Sequence, residues 1–132
     1  MLWFIDGRVK KEQVLHCILA IALSIVVVGF LKRVFNTPRP FMVEEVFSLT
    51  LFKGSEGSFP SQHTTVAFAI AATVWLHNKS LGSVFIVSAI LVGVGRVLSN
   101  VHYPVDILGG AIVGILVATL LEKTHLFKIT PK

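Results

Sequence analysis

The sequence predicts an all-α integral membrane bundle of about four transmembrane helices, forming one domain over residues 1–132. Two observations carry this. Apolar residues make up 54% of the chain and charged ones 14%, a balance suited to lipid rather than to a water-soluble globule. The apolar residues also fall into four segments of near-spanning length, separated by short polar islands. No internal repeat or low-complexity tract is visible.

The first predicted span covers about 13–31, where His16 and Ser24 are the conspicuous polar residues after Val14. Arg8, Lys10 and Lys11 precede it, as basic residues precede a signal peptide. Its apolar run is too long for a signal core, however, and it ends in Lys32-Arg33 rather than a small-residue cleavage site, so it reads as a retained helix. Residues 36–60 carry Pro38, Pro40, Gly54, Gly57 and Pro60 and read as a loop, with Phe41 to Phe52 as a short interfacial helix. The second span, about 63–76, extends the apolar run Val66 to Leu76 backward through Thr65, Thr64 and His63. A tight turn, His77-Asn78-Lys79-Ser80, leads into the third span, about 81–98. The fourth covers about 104–121, and the tail from Glu122 is polar and expected to fray.

The formal charge of +5 comes from scattered Lys and Arg, with no basic stripe and no aromatic interleaving, so no nucleic-acid partner is expected. Cys17 is the lone cysteine, lies inside an apolar run and reads as a packed or lipid-facing small residue.

The chemistry lies in three islands: Lys32 to Pro40 (KRVFNTPRP), Phe59 to His63 (FPSQH) and Arg96 to Asp106 (RVLSNVHYPVD). Ionisable groups beside membrane segments are costly and usually functional. Lys and Arg suit a phosphate, one His can attack phosphorus, and a second can protonate a leaving oxygen. His102 and Asp106 are four apart at a helix start, with Pro104 suited to its first turn, so the carboxylate can fix the imidazole tautomer. Four crossings put all three islands on one side. Arg8, Lys10, Lys11, Lys79, Lys123, Lys128 and Lys132 lie on the other, against Lys32, Arg33, Arg39, Lys53 and Arg96. The positive-inside rule then places the islands outside the cytoplasm.

Lys32 with Arg39-Pro40, Pro60-Ser61-Gln62-His63, and Gly95-Arg96 with His102 and Asp106 resemble, in order and spacing, the three signature motifs of the type 2 phosphatidic acid phosphatase (PAP2) superfamily. Gln62 stands where that pattern has Gly, and Gly95 where it has Ser. Membrane members usually have six helices, so the resemblance implies a shortened version of that fold, with stability as a monomer in question. It implies that His102 is the nucleophile of a phosphohistidine intermediate, oriented by Asp106, and that His63 is the general acid. Lys32, Arg39, Ser61 and Arg96 are implied as the substrate-binding set, with backbone N–H groups at the helix start adding donors.

Within the superfamily, Pro38 to Phe41, Ser58 to Ser61, and Val101 to Asp106 running into Gly109-Gly110 are similar to bacterial undecaprenyl-diphosphatases. The implied reaction removes the terminal phosphate of an isoprenyl diphosphate at the outer membrane face, without a cofactor. A phosphatidate or phosphatidylglycerophosphate phosphatase is the nearest alternative on this scaffold. A non-catalytic lipid-phosphate binder or transport subunit would need the cations but not two histidines and an orienting carboxylate. The related soluble vanadium haloperoxidases are disfavoured by four lipophilic helices.

Taken singly, these residues have plainer readings. Lys32 and Arg39 alone would serve as anchors that snorkel to headgroups, and His16, His77 and His125 read as interfacial polar residues. Glu44, Glu45 and Glu56 lack companion ligands at useful spacing, so no metal site is legible. Gly110 and Gly114 form a small-xxx-small pair, expected to pack within the chain, with a homo-oligomer face as the other reading.

Overall fold

The computed structural model describes residues 9–44, 47–49 and 57–124. Of the residues named above, Arg8, Glu45, Phe52, Lys53, Gly54, Glu56, His125, Lys128 and Lys132 lie outside this range. The described residues form helices α1 (Val9–Phe35), α2 (Pro40–Val43), α3 (Gln62–His77), α4 (Lys79–Leu98) and α5 (Pro104–Lys123). Four of the five match the predicted spans, each extended by one to four residues at one or both ends. Polar residues at a helix terminus do not stop it when their side chains can reach a headgroup region or a site, so α1 continues through Lys32-Arg33.

What stops α1 and α4 is asparagine. Asn36 and Asn100 have φ of 39° and 56°, the left-handed region that asparagine tolerates better than most residues. At the end of α4 the Val101 N–H bonds the Arg96 carbonyl and the Asn100 N–H bonds the Val97 carbonyl. This is a Schellman closure, and it turns the chain back so that Val101 and His102 become buried. Asn78 links α3 to α4 and caps α4, its side chain accepting from the Leu81 N–H at 3.0 Å. The predicted tight turn is thus a single-residue helix junction.

The interfacial helix and the polar tail depart from expectation, while the bundle of about four membrane helices holds. The interfacial helix expected over Phe41 to Phe52 is only the four-residue α2 within the described residues, opened by Pro40 in the position its fixed φ favours. Of the four expected spans, α1, α4 and α5 are long and apolar enough to cross a membrane. The 16-residue α3 is about 24 Å long at 1.5 Å per residue, short of the roughly 30 Å hydrocarbon core. The length is tolerable because α3 is the hub, packed against α1, α4 and α5, and need not face lipid along its length. Glu122, expected in a frayed tail, belongs to the last turn of α5.

The interior is made of small residues: Ala20, Ala69, Ala71, Ala89 and Ala118 are buried, whereas Val26, Phe30, Leu91, Leu108 and Ile112 point outward. Large apolar side chains outside and small ones inside are what helices packing in lipid require. Glycines let α5 approach α3 closely. A Cβ on Gly114 would overlap the Thr65 carbonyl, and one on Gly110 would lie 2.8 Å from the Ser61 carbonyl. The glycine pair therefore packs within the chain, which leaves that stripe unavailable as a homo-oligomer face.

Candidate active site

Hydrogen bonds stitch the three polar islands together at one end of the bundle. The Ser58 N–H donates to the Thr37 carbonyl at 2.7 Å, and the Phe59 N–H to Thr37 Oγ1 at 2.9 Å, fixing the second island to the first. The Ser61 N–H donates to the Asp106 carbonyl at 3.1 Å, fixing the second to the third. The cations add to this frame. Lys32 Nζ, at the last turn of α1, donates to the Gly57 carbonyl, and Arg39 donates to the Val101 carbonyl at 3.3 Å. Lys32 and Arg39 are both buried, which corrects the reading of either one as a snorkelling anchor.

His102 sits between the Schellman turn and α5, and Asp106 in the first turn of α5. Both are almost fully buried, with His102 Nδ1 3.3 Å from Asp106 Oδ2. That oxygen also accepts from the Tyr103 backbone N–H at 2.8 Å and from the Ser58 hydroxyl. The carboxylate is thus held in place by three groups, and the imidazole presents Nδ1 to it. Nε2 is the nitrogen directed away, unprotonated in the tautomer this arrangement selects. Burial pushes the His102 imidazole below its ordinary pKa; the Asp106 hydrogen bond and charge oppose this, and Arg39 and Arg96 reinforce it. The net effect favours the neutral ring, which keeps a lone pair on Nε2.

His63 lies in the first turn of α3 and is exposed. Arg96, Arg39 and Lys32 all act on it electrostatically, as does His102, so the two histidines share one field. Arg96, in the last turn of α4, keeps its Nε buried without a hydrogen-bond partner among the described residues, as a donor awaiting an anion would be. The structure therefore brings Lys32, Arg39, Ser61, His63, Arg96, His102 and Asp106 to one end of the bundle. Beside His63 an apolar groove of about 330 Å³ runs along α3 and α4, lined by Val66, Ala67, Ile70 and Val92.

Ser61 differs from expectation. It is fully buried, its backbone N–H is taken by the Asp106 carbonyl, and its Oγ accepts from Thr64 Oγ1 at 3.0 Å rather than capping α3. Its hydroxyl proton can still donate, but its N–H cannot join an anion site. Ser58 is the residue that sequence reading left without a role. Its position directly before Phe59-Pro60-Ser61 was the only signal, and its bond to Asp106 links residues 48 positions apart. His16 and His77 are likewise not separate interfacial groups, since they meet Glu122 at the opposite end of the bundle.

The PAP2 superfamily profile matches residues 13–129. The chain belongs to the PAP2 superfamily. Among PAP2 relatives, it is 30% identical over 119 residues to the undecaprenyl-diphosphatase BcrC of Bacillus subtilis, covering 90% of this chain and 61% of that protein. It is 33% identical over 120 residues to a lipid A 1-phosphatase of Rhizobium etli, covering 84% and 52%. The crystal structure of Aquifex aeolicus LpxE superposes with a TM-score of 0.79 at 37% identity, covering 87% of this chain and 70% of that one. The chain spans 57 to 61% of the length of the first undecaprenyl-diphosphatase and BcrC relatives it matches.

Proposed function

We propose that this chain is a membrane lipid phosphatase that removes the terminal phosphate of an isoprenyl diphosphate such as undecaprenyl diphosphate. The observation that carries the reading is the buried His102 held by Asp106, with Arg39 and Arg96 acting on it electrostatically. A binder needs the cations but has no use for an oriented imidazole. His102 Nε2 attacks the terminal phosphorus as the bond to the bridging oxygen breaks, and His63 gives that oxygen its proton. Lys32, Arg39, Arg96 and the Ser61 hydroxyl balance charge on the equatorial oxygens, and Asp106 stabilises the cationic phosphoimidazole. A water deprotonated by His63 then attacks the phosphohistidine, releasing inorganic phosphate and returning His102 neutral. No step calls on a cofactor. The groove beside His63 suits the first isoprene units of the leaving lipid.

A second reading, a lipid A phosphate as substrate, is favoured by the 33% identity to the Rhizobium etli lipid A 1-phosphatase. Phosphate release by detergent-purified protein from undecaprenyl diphosphate, lipid A, phosphatidate and phosphatidylglycerophosphate separates them. Fastest turnover of undecaprenyl diphosphate supports the first reading, and release from none of the four contradicts a lipid phosphatase. The active site is further proposed to face the cell exterior, on the positive-inside reading of the sequence. In a Cys17→Ser background, a single cysteine replacing Ser55 should react with a membrane-impermeant thiol reagent on intact cells, and one replacing Ser80 should not; the reverse pattern overturns this orientation.

A further inference from the structure

At the end of the bundle away from the candidate active site, three helices each contribute one ligating side chain to a single cluster. His16 is on α1, His77 is the last residue of α3, and Glu122 is in the last turn of α5. One ligand atom from each lies within 4.8 Å of the others. His16 Nδ1 is 3.2 Å and His77 Nε2 3.8 Å from the same oxygen, Glu122 Oε2. The imidazole centroids are 5.9 Å apart and tilted by 48°, so the rings are not stacked and their edges can converge. We propose that His16, His77 and Glu122 form a divalent transition-metal site, best suited to zinc, that ties together α1, α3 and α5.

Three features favour a metal over a simple hydrogen-bonded cluster. Two imidazoles and one carboxylate are a donor set that zinc takes tetrahedrally, with a fourth position left to water. Ligand bonds of about 2.0–2.2 Å place donor atoms roughly 3.3 Å apart. The His16 to Glu122 separation of 3.2 Å already meets this, the His77 to Glu122 separation of 3.8 Å needs to close by about half an ångström, and the two imidazole nitrogens, within 4.8 Å of each other, by up to about 1.5 Å. The third feature is the second shell. His77 Nδ1 is 2.8 Å from the Thr73 carbonyl, and because a carbonyl only accepts, Nδ1 carries the proton. Nε2 is thereby left as a lone pair directed at Glu122, the arrangement that orients histidine for a metal. His16 is almost fully buried, while the Glu122 side chain is 37% exposed, so the cluster has one rigid wall and one adjustable arm through which an ion can enter.

The position indicates the role. Along the helices, His16 is 16 residues from Lys32, His77 is 14 from His63 and Glu122 is 16 from Asp106, or about 21–24 Å at 1.5 Å per residue. An ion there touches no reacting atom. It closes the end of the bundle remote from the polar islands and stabilises the fold by binding the folded state alone.

The test uses the full chain, free of any affinity tag, stripped with chelator in detergent and titrated with ZnCl₂ or CoCl₂. The expected results are one equivalent of zinc per chain, an intense tetrahedral Co²⁺ visible spectrum, and a thermal midpoint raised by several degrees. His77→Gln and Glu122→Gln should each weaken zinc binding at least about 100-fold, the loss of a direct ligand exceeding the usual effect of an outer-shell change. Should His77→Gln fail to fold, Glu122→Gln decides the matter, because its side chain is partly exposed. Zinc binding that survives both substitutions, a weak octahedral Co²⁺ spectrum, or no metal-dependent shift in the midpoint would overturn the proposal. These readouts do not depend on phosphate release, so they remain informative if the proposed activity is wrong.

Discussion

The Ser58 hydroxyl donates to Oδ2 of Asp106, the oxygen that faces His102 Nδ1. Ser58 Oγ is itself 3.3 Å from His102 Nδ1, so it braces the carboxylate and the imidazole together. Ser58→Ala should lower the turnover number about 10-fold, equivalent to roughly 1.4 kcal/mol of transition-state stabilisation, with KM little changed. Ser58→Thr, which keeps the hydroxyl, should recover part of the loss. Steady-state kinetics on undecaprenyl diphosphate check this. A drop in KM-dependent affinity alone would show that Ser58 shapes binding rather than the nucleophile.

The depressed pKa of His102 has a definite sign in stability. Burial is the first cause, and Arg39 and Arg96 add to it. Between the folded value and the ordinary value near 6.5, the unfolded chain binds the proton and the folded chain does not. This contribution to stability is therefore present above about pH 6.5 and is lost as pH falls through the folded pKa. NMR titration of labelled imidazoles, with His102→Gln for assignment, should place the His102 midpoint below about 6.5. Arg39→Gln should move it upward, and a wild-type midpoint above 6.5 would contradict the account.

His63 and His102 should respond differently to the leaving group. His102→Ala should abolish turnover of every substrate, whereas His63→Ala should slow a lipid diphosphate far more than an activated aryl phosphate, which departs with little proton donation. Comparison of the two variants on p-nitrophenyl phosphate and undecaprenyl diphosphate reads this directly. Equal losses on both substrates in His63→Ala would remove the general-acid assignment.

Gly114 and Gly95 predict opposite outcomes for stability. A Cβ at Gly114 would overlap the Thr65 carbonyl oxygen and lie 2.9 Å from the Ala69 amide nitrogen, while nothing lies within 4 Å of a Cβ placed at Gly95. Gly114→Val should cost about 1–3 kcal/mol through overpacking. By prying α3 from α5 it should also weaken the Ser61 to Asp106 bond and the activity. Gly95→Ser, which restores the family's usual residue, should leave the thermal midpoint unchanged. A destabilised Gly95→Ser would mean that α4 packs more tightly there than the fold indicates.

Most of the fold was legible because each apolar segment is bounded by a residue with its own physical reason to interrupt a helix: Asn36 and Pro38 after α1, Pro60 before α3, Asn78, then Asn100 and Pro104. The short reach of α3 was less legible, since hydropathy does not say whether an apolar helix faces lipid or its neighbours. The seven residues proposed for the site were picked out by the likeness of three short islands to family motifs, a local property, and the fold brings them to one end of the bundle. Ser58 and the His16, His77 and Glu122 cluster were not. Their partners lie on other helices, brought together by the glycine-mediated approach of α5 to α3, and pairing across such distances leaves no local signature. Ser61 shows the converse: its place beside His63 was clear, but the loss of its N–H to the Asp106 carbonyl is a tertiary event.

The central claim, nucleophilic attack by His102, is tested most directly by rapid acid-free quenching of the purified chain during turnover of undecaprenyl diphosphate labelled with ³²P in its terminal phosphate. The account predicts a base-stable, acid-labile label on the peptide carrying His102, absent in His102→Ala and accumulating in a variant slowed at His63. Turnover with no covalent label in either protein, or a label on a different residue, would contradict it.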